Sequence, residues 1–120
     1  MDNFTPAPVK PIISYDVLDK IDIRVGTIEK VIDMEKSDKL VKLLVNFGDH
    51  KRNVIVGIKK ERKNPKEIEG MQALFIVNLA PKEMMGEVSE GMLFDIGYSD
   101  KITPVLAFPE KPVPEGTRAG

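Results

Sequence analysis

The sequence has no cysteine, no tryptophan and a single histidine, His50. Without cysteine there is no disulfide framework, no thiol nucleophile and no thiolate metal site. One histidine also rules out a two-histidine metal site. No apolar run approaches the roughly 20 residues that a bilayer-spanning helix requires. The opening residues Met1 to Pro6 show neither the basic nor the apolar region of a secretory signal. A cytoplasmic protein with no membrane partner is the expectation, and a cysteine-free chain suits a reducing compartment. Aromatic residues are scarce at 6%. Net charge is scarce as well: 18 Lys+Arg face 19 Asp+Glu, for a total of −1. At first sight that balance argues against a polyanionic partner.

What is present is enough for one domain with its own core: 120 residues, 42% of them hydrophobic. Pro6, Pro8 and Pro11 remove backbone donors and restrict their neighbours, so residues 1–11 read as a flexible N-terminal arm. Such an arm is either a frayed tail or a segment that docks on a partner. Residues 12–120 then form the domain. Ser14 is placed to cap a short helical turn beginning at Tyr15. From Ile21 to Ile32 the apolar residues alternate and are mostly β-branched, which predicts a strand, with Gly26 marking a bulge or bend. Further strands are expected over Leu40–Phe47, Lys51–Ile58, Met71–Leu79 and Gly91–Tyr98, with a short addition at Val105–Phe108. One helical turn opens at Pro65 and stops at Gly70. Residues 80–89 read as a loop, and 109–120 as an irregular proline-rich tail. Five or six short strands with turn signals between them point to an all-β barrel.

Position by position, the charge is segregated. Between Lys51 and Lys66 lie Lys51, Arg52, Lys59, Lys60, Arg62, Lys63 and Lys66, against Glu61 alone. Between Glu83 and Glu110 lie Glu83, Glu87, Glu90, Asp95, Asp100 and Glu110, against Lys101 alone. The basic stretch is the footprint of a polyanion site, and equally what a solvated loop uses to stay soluble. No catalytic constellation emerges. His50 sits at a hairpin tip without a nucleophile beside it, and no glycine-rich phosphate loop is present. A non-enzyme that needs no cofactor is the expectation. Met84, Met85 and Met92 fall in and just after the 80–89 loop. They either plug a barrel end or offer adaptable contact to a base or an apolar partner.

Four blocks carry a resemblance. They are Asp22-Ile23-Arg24-Val25-Gly26-Thr27-Ile28, then Ser37-Asp38-Lys39-Leu40 continuing to Val45 and Gly48. The third is Asn78-Leu79-Ala80-Pro81-Lys82 with Gly86 and Ser89-Glu90-Gly91-Met92-Leu93, and the last is Pro112-Val113-Pro114-Glu115-Gly116-Thr117. The chain resembles the small tRNA-binding domain at the C-terminus of many bacterial methionyl-tRNA synthetases. That domain also occurs in the endothelial monocyte-activating polypeptide, in free-standing tRNA-binding proteins and in the CsaA export-related chaperone. The resemblance implies a five-stranded oligonucleotide/oligosaccharide-binding (OB) barrel with a C-terminal extension used in dimerisation, hence a homodimer. It implies a non-catalytic function in binding tRNA, with an aminoacyl-tRNA synthetase as a further partner. A CsaA-like chaperone that binds unfolded client proteins is the alternative.

Carried over by motif, the RNA-binding residues are Lys39, Arg52, Asn78, Lys82, Ser89 and Met92. Lys39, Arg52 and Lys82 suit phosphates; Asn78 and Ser89 suit base edges or the ribose 2′-hydroxyl; Met92 suits an unstacked base. Three positions depart from the family pattern: Val56 precedes Gly57 where Ser is common, and Glu83 and Met85 replace basic residues. Two positive charges are thereby lost from the rim and one negative charge is added, which weakens phosphate binding.

Overall fold

The computed structural model describes residues 4–120; the first three residues of the expected arm lie outside that range. The elements follow in the order α1 (Tyr15–Leu18), β1 (Ile23–Asp33), β2 (Val41–Asn46), β3 (Lys51–Val56), a 3-10 turn (Pro65–Ile68), β4 (Gln72–Ile76), β5 (Lys82–Met84), β6 (Glu87–Ser89), β7 (Met92–Leu93), a second 3-10 turn (Tyr98–Asp100) and β8 (Arg118–Ala119). Strands β3-β2-β1-β4-β7 form one antiparallel sheet that curls into a nearly closed barrel, the all-β OB arrangement.

Alternation decides which residues fill the barrel. Val41, Leu43 and Val45 of β2 are buried, whereas Lys42, Leu44 and Asn46 are half-buried on the other face. Ile28, Val54, Ala73 and Phe75 complete the interior, and Ile68 from the 3-10 turn closes one end. Phe47 meets Phe75 edge to face, with ring centroids 5.6 Å apart. Fully burying an aliphatic or phenyl side chain contributes about 1.5–3 kcal/mol, so this small set dominates the stability.

Strand β1 pairs with β2 through its second half and with β4 through its first. The irregularity that bends it falls between Ile28 and Lys30, not at Gly26 where the sequence suggests it. Gly26 has a different reason to be glycine. A Cβ there would overlap Val45 and lie 2.8 Å from Phe47 Cε1.

Two segments differ from the sequence reading. The expected loop at 80–89 contains a hairpin, in which Lys82 faces Ser89 and Met84 faces Glu87. Met85 and Gly86 turn it with φ of 52° and 83°, the two-residue geometry that suits the strand twist. The tail is not irregular to its end: β8 pairs with β1 of its own chain, and Val25 N–H donates to Thr117 O at 2.8 Å. The expected fifth strand shrinks to Met92–Leu93, continued only by an Ile96–Val105 bridge.

Candidate nucleic-acid interface

The edges of the barrel, β3 and β7, are joined by side chains. Ile55 N–H donates to Ser89 Oγ at 3.0 Å, and Asn53 N–H donates to Glu90 Oε1 at 3.1 Å. Glu90 N–H returns a bond to Asn53 O at 2.8 Å. A hydroxyl and a carboxylate thus supply acceptors that a neighbouring strand would otherwise offer. This closure also fixes where the β5–β6 hairpin lies, because Glu87 on it accepts from Lys42 Nζ at 2.6 Å.

Ion pairs occupy most of the basic stretch. Lys51 pairs with Glu29 at 2.8 Å, Lys59 with Asp33 at 2.5 Å, Lys60 with Asp38 at 3.2 Å and Arg62 with Glu67 at 2.7 Å. Lys59 also donates to the Met34 and Ser37 carbonyls, tying its loop to the one between β1 and β2. Among the described residues, Lys63 and Lys66 alone of the seven have neither an ion pair nor a side-chain hydrogen bond. The stretch is therefore architectural first, and its net field is much weaker than its sequence.

The six residues expected to touch RNA divide into two groups. Lys39 is exposed on the loop before β2, where Ser37 Oγ accepts from Lys39 N–H and Leu40 N–H at 3.2 and 3.0 Å. Lys82 is exposed at the start of β5, and Met92 is exposed on β7. Among the described residues, neither lysine has an ion pair.

The other three are spent inside the chain. Ser89 is 4% exposed, and its hydroxyl both accepts from Ile55 and donates to Gly91 O at 3.1 Å. Its donor and one of its two acceptor lone pairs are thereby spent on closing the barrel. Asn78 accepts from Asp22 N–H at 2.9 Å and donates to Lys20 O at 2.6 Å, which anchors the entry to β1. Arg52 donates to the Val77 and Glu90 carbonyls at 2.6 and 3.1 Å and to His50 Nε2 at 2.9 Å. His50 in turn donates from Nδ1 to Asp49 at 2.6 Å. The bond to His50 holds the Asp49 carboxyl below its usual range. With both ring nitrogens engaged, His50 has no free position for general-base chemistry.

Lys39 and Met92 share an open groove of about 680 Å³ on the barrel side. Met84, Phe94 and Tyr98 line it, as do the carboxylates of Glu61 and Asp95. Burial pushes both carboxyls up, and the charge of Asp95 raises Glu61 further. The sequence reading missed these two acids. Glu61 sits inside a lysine run and Asp95 two residues past β7, and nothing local marks them as neighbours. It missed a second cluster as well. Arg24 grips Asp22 through two bonds of 3.0 and 3.1 Å, with Arg118 behind at 3.3 Å, and the hydrogen bond to Arg24 holds Asp22 low.

A small OB barrel with exposed lysines beside a methionine- and aromatic-lined groove is the arrangement of a single-strand or structured-RNA binder. Residues 23–118 match the family described as "Putative tRNA binding domain", and the chain belongs to it. It is 38% identical over 115 residues to the methionine–tRNA ligase of Parabacteroides distasonis, covering 96% of this chain and 17% of that protein. The chain thus spans about a sixth of the length of the curated relatives it matches. Among solved structures, the MetRS-related protein from Pyrococcus horikoshii superposes with a TM-score of 0.83 at 32% identity, covering 92% of this chain and all of the other. The chaperone CsaA from Bacillus anthracis follows at 0.77 and 25%, covering 92% of this chain and all of CsaA.

Proposed function

We propose that this chain is a non-catalytic, cytoplasmic tRNA-binding module that works as a homodimer. Lys39 in the groove and Lys82 at the start of β5 neutralise phosphates, and Met92 packs on an exposed base. Arg52, Asn78 and Ser89 act at one remove, by holding the strands that carry the contacts. The observation that carries the reading is the pair Lys39 and Met92 on one groove of a tRNA-binding-family barrel. A methionyl-tRNA synthetase is the partner the likeness to ligase appendages suggests. The dimer reading rests on the N-terminal segment. Val9, Ile12 and Tyr15 are 98%, 100% and 85% exposed, and Ile13, Val17, Leu18 and Ile21 are exposed beside them. So much uncovered apolar surface on one short segment marks an interface, here with a second copy.

Fluorescently labelled tRNA titrated across a salt series is the test. Micromolar or tighter binding at low salt, weakening with salt and with Lys39→Ala and Lys82→Ala, is the expected result. Absence of binding at low salt refutes it. One observation favours a second reading, client-protein binding in the manner of CsaA: Met85, Val88, Met92 and Phe94 form an exposed apolar fringe around the hairpin. Suppression of client aggregation without tRNA affinity would select it.

A further inference from the structure

The groove holds more than a stacking platform. Several acidic groups around the barrel have partners: Asp22, Glu29, Asp33, Asp38, Glu67 and Glu87 in ion pairs, Asp49 on His50, Glu69 and Glu90 on backbone N–H groups. Among the described residues, Glu61 and Asp95 have neither an ion pair nor a side-chain hydrogen bond, although both are half-buried and close enough to repel. Two desolvated carboxylates without a cationic partner repel a phosphate. They call for a donor. The same groove is lined by Lys39, Lys60 and Asp100, and by the apolar side chains of Met84, Met92, Phe94 and Tyr98. Lys60 is held only by an exposed pair at 3.2 Å and is easily recruited.

An occupant that satisfies this lining is flat and apolar and carries both hydrogen-bond donors and negative charge. A nucleotide has that form. Among the four bases, guanine alone presents two adjacent donors, N1–H and the N2 amino group, in the geometry a carboxylate accepts. Adenine and cytosine place an acceptor beside their amino group, and uracil flanks its single N–H with two carbonyls. A cationic peptide would satisfy the acids but be repelled by Lys39 and Lys60.

We propose that the groove between the β1–β2 loop and the β7 segment is a subsite for one unstacked guanine nucleotide of the bound RNA. Its base edge donates to Asp95 and Glu61, its ring packs on Met92 and the neighbouring aromatics, and its flanking phosphates lie on Lys39 and Lys60. The inference rests on the tRNA-binding reading and adds base selectivity to it.

Six-nucleotide uridine RNAs carrying guanosine, inosine, adenosine or cytidine at one central position test it by fluorescence anisotropy, with tRNA titrated in parallel. The guanosine oligomer binds about tenfold tighter than the all-uridine one, and inosine, which lacks the N2 amino group, loses most of that gain. Asp95→Asn, nearly isosteric, cuts the preference at least fivefold, and Asp95→Ala with Glu61→Ala abolishes it. The preference also fades on acidification, as the acceptors protonate. Equal affinity for all oligomers, or a preference that survives the double substitution, overturns the proposal. So does an arginine-bearing hexapeptide that binds more tightly than the guanosine oligomer and competes with it. If tRNA binds while the preference is absent, this inference alone fails; if no RNA binds, the tRNA-binding reading fails with it.

Discussion

Replacing Ser89 by alanine separates two meanings of a signature residue. In the structure the hydroxyl accepts from Ile55 N–H at 3.0 Å and donates to Gly91 O at 3.1 Å, in a position only 4% exposed. Alanine removes both bonds and leaves a buried N–H without a partner. An unsatisfied buried polar group costs about 1–3 kcal/mol. Gly91 is half-buried, so water can reach its carbonyl and reduce the second loss. The sum is about 2–3 kcal/mol, a large share of the stability of a small domain. At roughly 3–4 °C per kcal/mol for a chain of this length, the melting temperature falls by about 6–12 °C. Urea titration measures the stability, and tRNA titration at low temperature measures affinity per folded molecule. The expected pattern is a lower urea midpoint with affinity changed less than threefold. Glu90→Gln serves as a control, since its amide oxygen still accepts from Asn53 N–H, and it stays within about 1 kcal/mol of the parent. A Ser89→Ala protein of unchanged stability that no longer binds tRNA would refute the reasoning, because the hydroxyl would then be meeting RNA directly.

Lys39→Ala and Lys82→Ala each leave the melting temperature unchanged and lower the slope of log affinity against log salt by about 0.7–0.9, one released counterion apiece, in a salt-dependent tRNA titration. The proposed dimer predicts that Ile12→Asp with Tyr15→Asp yields a monomer with an intact barrel, as read by sedimentation velocity and far-ultraviolet circular dichroism against a dimeric parent. Gly26→Ala destabilises by about 1–3 kcal/mol in urea titration, since the new methyl overlaps Val45 and Phe47. Asp95→Asn raises the urea midpoint at pH 7. The folded carboxyl is pushed up by burial, so its ionisation costs stability once the pH passes the unfolded value. The gain disappears at about pH 3, where the group is protonated in both states.

The parts of the fold written in local pattern were legible. Alternation in Val41, Leu43 and Val45 announces an inward face, and Pro65 with Gly70 brackets a single helical turn. What escaped depends on partners distant in the chain. Strand β8 exists because β1 offers a free edge to Arg118 and Ala119, which carry no strand signal of their own. The β5–β6 hairpin turns at Met85, and a methionine with positive φ is not something composition predicts. For the site, residue types singled out Lys39, Lys82 and Met92, which the structure leaves exposed. They could not distinguish a serine that meets a ligand from one that closes a barrel. The pairing of the lysine run was hidden for the same reason: its counterions, Glu29, Asp33 and Asp38, lie on or beside β1 and reach it only through the barrel.

These placements bear on why one barrel resembles both synthetase appendages and CsaA chaperones. Ser89, Glu90, Arg52 and Asn78 spend their polar groups on β3, β4 and the entry to β1, so the signature they belong to specifies the closure of the barrel. A motif with that duty accompanies the fold whatever the barrel binds. Ligand choice is left to side chains that the closure leaves free: Lys39, Lys82, Glu83, Met85 and Met92 on the rim, and Glu61 and Asp95 in the groove. Here that set is cationic at two points, acidic at three and apolar between. With a net charge of −1, bulk attraction to a polyanion is weak. On the proposed function, selectivity comes from short-range contacts in the groove, and affinity from the two grooves that the proposed dimer would present.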